Sequence, residues 1–454
     1  MKNEPWLGDA CSLVDAFRSG AREPSEVLEA TISALDDSSL NATSHIDVEA
    51  ARMAAASADV SLPFGGVPIA IKELESVAGW PSTEASLVFR DRVATHDSTQ
   101  VTRLRAAGAI LLGKTNCPEL GWAWEADNLI YGRTNNPYDV TLSPGGSSGG
   151  ESAIIAAGGS AFGLGSDAGG SVRFPAHCTG IASIKPTSGR VPRTGHFPGP
   201  GGLLDSLWQI GPLARYVEDL SLVLAVISGV DLQDAAIVPM PLGDPRAVDL
   251  RKLRIAFHTD NGIVTPSPEI IAAVKKAAET LAEAGLSVEA VRPPAIEQTY
   301  DIYLGLFTAD GGAGIESLLK DVGTMHVHPL MQRVLDLQHQ GAKTVSELSE
   351  LIGRWDAFRR EMLFFMSNYD ALLCPVCSFA GIEHGSTYDQ LSSFSYTMTS
   401  NLTGWPAAVV RGGTTEKGLP VGVQIVAKPW REDVALAIAQ ALQDAQGGWQ
   451  RPAL

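Results

Sequence analysis

Serine and glycine crowd two short stretches of this 454-residue chain, Ser143-Pro-Gly-Gly-Ser-Ser-Gly-Gly-Glu151 and Gly163-Leu-Gly-Ser-Asp-Ala-Gly-Gly-Ser-Val-Arg-Phe-Pro175. Glycine at that density loses much conformational freedom on folding, and chains accept the loss where backbone N–H groups approach a ligand or adopt unusual dihedrals. Serines held in such loops have the makings of a nucleophile and its partner. Three motifs compete for the pattern. A phosphate-cradling loop needs a lysine before its last Ser or Thr, and Gly149-Gly-Glu151 supplies an acid instead. A dinucleotide fingerprint over Gly163-Leu-Gly165 has its third glycine misplaced. Gly145-Gly-Ser147-Ser-Gly149 does match the G-x-S-x-G elbow of α/β-hydrolases. That elbow follows a strand directly, whereas Ser143-Pro144-Gly145 reads as a turn. It also needs a later Asp and His, and His326, His328 and His384 stand in no telling context. An esterase with Ser147 in such an elbow is the runner-up reading.

The whole segment closely resembles the amidase signature found in fatty acid amide hydrolases, bacterial amidases and the glutamine-cleaving subunit of tRNA-dependent amidotransferases. The resemblance is carried by Gly145-Gly-Ser-Ser-Gly-Gly-Glu151, Asp167-Ala-Gly-Gly-Ser-Val-Arg-Phe-Pro175 and Gly66-Val-Pro-Ile-Ala-Ile-Lys72. Gly113-Lys-Thr-Asn-Cys-Pro-Glu-Leu120, Lys185-Pro-Thr-Ser-Gly189 and Gly418-Leu-Pro-Val-Gly-Val-Gln-Ile425 follow it more loosely, so it spans nearly the whole chain. It implies Lys72 as base, Ser147 as a relay held by a cis Gly146–Ser147 peptide, and Ser171 as nucleophile. It implies an oxyanion hole built from the backbone N–H groups of Ala168, Gly169, Gly170 and Ser171. It puts substrate-contacting backbone around Gly121, next to Trp122. One departure is Glu73, where an Asp commonly follows the lysine. Adjacent strand residues face opposite ways, so Glu73 is expected to point away from the Lys72 amine.

An amide carbonyl is a poor electrophile, so its cleavage needs an activated nucleophile and a hole for the oxyanion. Lys72 serves as base only when neutral, which asks desolvation to lower a pKa of about 10.4 by roughly three units, worth about 4 kcal/mol. Apolar Val67, Ile69 and Ile71 suit a dry setting. The activity implied is hydrolysis of a carboxamide-type C–N bond in an amide, aryl acylamide, carbamate (urethane) or ester, through an acyl-enzyme, with no metal and no cofactor. The alternatives kept open are the glutaminase subunit of a tRNA-dependent amidotransferase and a non-catalytic amidase-like binding protein. Ser148, Ser166, Asp167 and Arg173 are expected to orient the loops, with Arg173 paired to Asp167. Trp122 and Trp124 are read as an aromatic wall or as core, and Phe197, Leu203, Leu204, Tyr303, Leu306 and Phe307 as weaker pocket candidates. His177 and Cys178 are read as packing residues.

These side chains need rigid elements to hold them. Gly66–Ile71 reads as a strand that delivers Lys72, Ser98–Ala107 as an amphipathic helix, and Ala109–Leu112 as the next strand. Ser12–Ser19, Ser25–Leu35 (with Ser25 as N-cap) and Asp47–Ala58 read as helices. Leu253–His258 and Leu286–Val291 read as strands around the helix Pro268–Ala284. Residues 300–345 read as mostly helical, with a break at Asp310-Gly-Gly-Ala-Gly314. Ala407–Val410 and Pro420–Ala427 read as strands and Glu432–Asp444 as a closing helix. Met362–Met366 reads as core. The helix–strand alternation argues for an α/β fold with buried strands. The resemblance adds that a mixed, many-stranded β-sheet is sandwiched between α-helices. A single large domain over residues 1–454 is expected, with the signature core at about 66–190 and specificity loops at about 121–130, 190–210 and 300–345.

The bulk numbers bound the partners. A formal net charge of −17 repels phosphate backbones, and no basic patch stands out, so nucleic acid is not an expected partner. The longest weakly polar stretch, Ala153–Gly165, is too short and too Gly/Ala-rich for a membrane span. Met1–Leu13 carries Glu4 and Asp9 and lacks a signal-peptide apolar region, so a cytoplasmic protein, monomer or homodimer, acting on a small-molecule amide or carbamate is expected. Five cysteines in a chain this long do not read as a disulfide framework. Cys374-Pro-Val-Cys377 lacks a second ligand pair for zinc and sits at a strand end.

Overall fold

Strands form where runs of apolar residues are short and bounded by turns, and a run buried on both faces need not alternate with polar residues. The computed structural model describes residues 5–36, 39–321 and 326–453. Among them are the strands β1 (Thr43–Ile46), β2 (Pro68–Lys72), β3 (Ile110–Thr115), β4 (Phe162–Asp167), β5 (Ala182–Lys185) and β6 (Gln209–Ala214). Then come β7 (Arg254–Phe257), β8 (Ser287–Ala290), β9 (Ala371–Pro375), β10 (Ala407–Thr414) and β11 (Pro420–Ala427). Eight of them make one mixed sheet in the order β4-β6-β5-β10-β11-β9-β7-β8. Its neighbours run antiparallel from β4 to β9, and β9, β7 and β8 run parallel. Every residue of β4, β5, β6, β9 and β11 is buried.

The lysine strand does not belong to that sheet. β2 pairs in parallel with β3, and β1 pairs antiparallel with the other edge of β3, giving a separate three-stranded sheet. The mixed, many-stranded sheet between helices is as expected from the sequence, and this smaller sheet stands beside it. The strand reading of Gly66–Ile71 and Ala109–Leu112 holds with small shifts, and the register sets Lys72 beside Thr115 at the C-terminal end of β2.

Helices cover the large sheet. Pro268–Glu283 buries Ile270, Ala273, Val274, Ala277 and Leu281, a stripe at helical spacing that packs with Ile255, Val423 and Ile425 into the main core. Asp47 and Ser98 cap the helices Val48–Ala56 and Thr99–Ala106 by accepting from Ala50 N–H and Val101 N–H. The helix expected to start at Ser25 begins instead at Pro24, whose fixed φ and missing N–H suit the first helical position. The stretch Ala153–Gly165 splits in two. The helix Gly149–Ala157 ends at Gly158 in the left-handed region, and β4 follows. Met362–Met366 is not uniformly core. It ends the helix Val345–Met366, whose turn buries Met362, Phe365 and Met366 and leaves Leu363 and Phe364 at 53% and 79% exposure. Among the described residues no helix is long and apolar enough to cross a membrane.

Candidate active site

The strand ends bring the two Gly/Ser stretches to Lys72. Ser147 and Ser148 lie in the turn that enters the helix Gly149–Ala157, and Ser166 lies on β4. Lys72 Nζ donates to Ser147 Oγ at 2.7 Å and to Ser148 Oγ and Ser166 Oγ at 3.1 Å each. The lysine is fully buried. Desolvation lowers its pKa to about 8, although the nearby acids Asp167, Glu75 and Glu151 pull the other way. Burial itself raises the Glu75 and Glu151 carboxyls to about 7 and about 8, which weakens their hold on the amine.

Burial alone does not single out Lys72. Lys185 is equally buried and its pKa falls to about 7 by desolvation, yet among the described residues it donates only to the Pro186 carbonyl. Lys114 is buried too, paired with Glu73 at 3.4 Å and hydrogen-bonded to Pro81 O. What distinguishes Lys72 is three hydroxyls around a desolvated amine. Glu73 faces away from it, accepting from Ser44 Oγ, Thr83 N–H and Thr83 Oγ1, as strand alternation requires.

The Gly146–Ser147 peptide is cis. A Cβ on Gly146 would come within 2.4 Å of the Glu125 backbone, so only glycine fits there. Ser148 N–H donates to Ser171 O at 3.2 Å and ties the two loops together. Ser171 follows β4 after Ala168, Gly169 and Gly170, and its Oγ has no hydrogen-bond partner among the described residues.

Asp167 organises that turn. Its carboxylate accepts from Gly170 N–H at 2.8 Å, from Val172 N–H at 3.2 Å and from Asn401 Nδ2 at 3.0 Å. Arg173 grips it through Nε at 2.9 Å and Nη2 at 2.8 Å, with both side chains fully buried. Burial works to raise the Asp167 carboxyl, but the charge and hydrogen bonds of Arg173, helped by Asn401, hold it well below the usual carboxylate range. Arg173 spends its other donors on Thr397 O, Ser400 Oγ, Gln424 Oε1 and Asn401 Oδ1. Gly170 N–H is thus already engaged, whereas Gly169 N–H and Ser171 N–H meet no acceptor among the described residues.

Ser147, Ser166 and Ser171 open onto one cavity of about 360 Å³, which Gly121, Trp122 and Trp124 also line. Phe197, Leu203, Leu204, Tyr303, Leu306 and Phe307 all line it as well, so residues more than a hundred apart in sequence meet on one wall. Leu74, Trp208 and His196 line it without having been anticipated. Leu74 lies two residues beyond Lys72, and the other two sit inside the 190–210 stretch, with no local pattern to mark them. No lysine or arginine is among the described residues of the lining. His196 makes no hydrogen bond to Ser147 or Ser171, so the hydroxyl-to-imidazole contact of an elbow is not formed there. His177 is buried between Phe379 O and Gly422 N–H, and Cys178, Cys374 and Cys377 are buried free thiols.

Residues 26–436 match the family model described as Amidase. The chain is 32% identical to human fatty-acid amide hydrolase 2 over 86% of its own length and 77% of the relative's. It is also 32% identical to one subunit of the glutamyl-tRNA(Gln) amidotransferase of Roseiflexus castenholzii, over 88% of this chain and 87% of that one. A solved structure of 6-aminohexanoate cyclic dimer hydrolase with its substrate superposes with a TM-score of 0.88 at 29% identity, covering 98% of this chain and 99% of that one.

Proposed function

The chain belongs to the amidase family and is a hydrolase of non-peptide C–N bonds, and on that premise we propose that it works through Ser171 as nucleophile, Ser147 as proton relay and Lys72 as base. The observation that carries the reading is the desolvated Lys72 amine held by hydroxyls, of which those of Ser147 and Ser166 line a cavity together with Ser171. Neutral Lys72 takes the Ser147 proton while Ser147 takes that of Ser171, and Ser171 Oγ attacks the carbonyl. The oxyanion is received by Gly169 N–H and Ser171 N–H, two amides of the turn that meet no acceptor among the described residues, and each such donor is typically worth about 3–4 kcal/mol of barrier. Collapse breaks the C–N bond, and the proton returns from Lys72 through Ser147 to the leaving nitrogen, which otherwise departs as an unfavourable anion. Water then attacks the acyl-Ser171 ester by the same relay and frees the acid.

The cavity favours an uncharged, apolar acyl or aryl group. Its wall is mostly aromatic and aliphatic, its polar residues include Asp310, Gln338 and His196, and a glutamine α-carboxylate finds no lysine or arginine on the described lining. We therefore read the substrate as an aryl acylamide or aryl carbamate rather than free glutamine, turned over without a nucleic-acid partner. The test is amine release by purified protein from anilides, short aliphatic amides, glutamine and aryl carbamates, with fluorophosphonate labelling alongside. Anilide or carbamate turnover with label on Ser171, both lost in Ser171→Ala, is the expected result. Cleavage of glutamine alone overturns the substrate class. Label on Ser147 instead revives the elbow reading, and no label with no turnover leaves a binding protein.

A further inference from the structure

Two aromatic side chains hold the turn before Ser171 from outside. Tyr303 Oη donates to the Ala168 carbonyl at 3.0 Å, and Trp124 Nε1 donates to the Gly169 carbonyl at 3.1 Å. Thr397 Oγ1 also reaches the Gly169 carbonyl at 2.9 Å, but its single proton is shared with Phe394 O at the same distance. Burial pushes the Tyr303 hydroxyl above its ordinary value, so it keeps its proton and remains a donor.

The peptides of this turn are trans, so each carbonyl points opposite to the N–H that follows it. Drawing Ala168 O toward Tyr303 therefore turns Gly169 N–H the other way. Drawing Gly169 O toward Trp124 turns Gly170 N–H toward Asp167 Oδ1, which receives it at 2.8 Å. The Gly170 carbonyl accepts from Phe174 N–H at 2.6 Å, which directs Ser171 N–H by the same rule. The contacts leave no slack. A Cβ on Gly169 would lie 2.4 Å from Tyr303 Oη, and one on Gly170, whose φ is +117°, would lie 2.4 Å from Thr397 Oγ1. The rings of Tyr303 and Trp124 also line the cavity.

We infer that Tyr303 and Trp124 are positioning residues, Tyr303 aiming the Gly169 amide at the forming oxyanion and Trp124 fixing the next peptide so that the turn carrying Gly169 and Ser171 cannot rotate, while their ring faces make the wall on which the substrate's apolar group packs. The inference rests on Ser171 being the nucleophile. A group seated against the two rings steadies the donors behind the turn, so a good fit is expressed in kcat more than in KM.

The experiment uses the full chain, a nitroanilide substrate and an aryl boronic acid, whose Ser171 adduct imitates the tetrahedral intermediate. Tyr303→Phe keeps the ring and removes one donor. Its kcat is expected to fall about ten-fold, with KM within about two-fold and boronate affinity weakened in step with kcat. Trp124→Phe is expected to do less, because Thr397 still reaches the Gly169 carbonyl, and Trp124→Phe/Thr397→Val is expected to match Tyr303→Phe. Unchanged kcat and boronate affinity in Tyr303→Phe overturns the inference, as does a loss confined to KM. If Tyr303→Phe does not fold, the Trp124→Phe/Thr397→Val pair decides by the same readouts. Ser171→Ala runs alongside. Activity surviving there sinks the nucleophile assignment itself, whereas an inactive Ser171→Ala beside a fully active Tyr303→Phe sinks only this inference.

Discussion

Lys72 Nζ lies 2.7 Å from Ser147 Oγ in a fully buried setting where no carboxylate of the described residues forms an ion pair with it. An amine so placed is more easily neutral than any surface lysine, because burial penalises its charged form and hydroxyls compensate only in part.

Activity is therefore expected to rise with pH. Only the neutral amine accepts a proton, and desolvation brings its pKa to about 8. The kcat/KM for an anilide should climb through that value and level off above it. Lys72→Arg stays charged at every working pH and is expected to lose about a thousand-fold. A rate that falls as pH passes about 8 in the wild-type enzyme contradicts a neutral-lysine base.

The same lowered pKa has a stability signature. Between about 8 and the usual lysine value the unfolded chain holds a proton that the folded chain has released. Lys72 therefore makes its stability contribution more favourable as pH rises through that window and less favourable below it. Lys72→Met removes the burden of a buried charge, and its Tm at neutral pH is expected to be no lower than wild type although activity is lost. A fall of many degrees, read by calorimetry, would show that the lysine's hydrogen bonds outweigh its desolvation.

The three serines around Lys72 should not be equivalent. Ser147→Ala interrupts the 2.7 Å contact and is expected to cost about a hundred- to a thousand-fold in kcat. Ser148→Ala and Ser166→Ala each remove a 3.1 Å contact and are expected to cost less. Rates of fluorophosphonate labelling at Ser171 order the variants, and a Ser148 variant slower than the Ser147 variant reverses the relay assignment.

Arg173 is a structural cation. It is fully buried and holds Asp167 through two hydrogen bonds, so Arg173→Met strands a buried carboxylate and is expected to destabilise the fold by about 3–5 kcal/mol. Arg173→Lys keeps the charge but loses the forked geometry and falls between. Urea unfolding midpoints measure both. A midpoint equal to wild type in Arg173→Met would mean that Asp167 does not depend on its partner.

Phe307 packs 5.1 Å from the Trp122 ring and 6.0 Å from Tyr303, centroid to centroid, on the cavity wall. Phe307→Ala removes apolar surface that only a large substrate touches, and its kcat/KM for an anilide is expected to drop about ten-fold or more while that for acetamide barely moves. Equal losses on both substrates would place the acyl group elsewhere.

Several elements are legible in the sequence because their causes are local. The apolar run ending at Lys72, the helices that start about Asp47 and Ser98 and the helix Pro268–Glu283 each follow from near-neighbour sterics and periodicity. Others are not. β1 and β6 are short and carry polar or glycine and proline residues, and pairing with neighbours distant in sequence, not propensity, makes them strands. Phe364 is as apolar as Phe365, and the helical phase leaves it outside. Trp208 reaches the cavity wall from a stretch with no pattern to announce it.

Residue type and local spacing, taken alone, determined that a lysine ends an apolar strand, that serines stand in glycine-dense turns, and that no basic surface is prominent. Those properties belong to a few consecutive residues, and backbone sterics or charge counting carries them. Tertiary structure decided which hydroxyls meet the amine, since Lys72 contacts partners 75, 76 and 94 residues away. It also decided that Tyr303 and Trp124 hold the carbonyls of Ala168 and Gly169. Such pairings depend on how two sheets and their covering helices pack, and packing is a property of the whole chain.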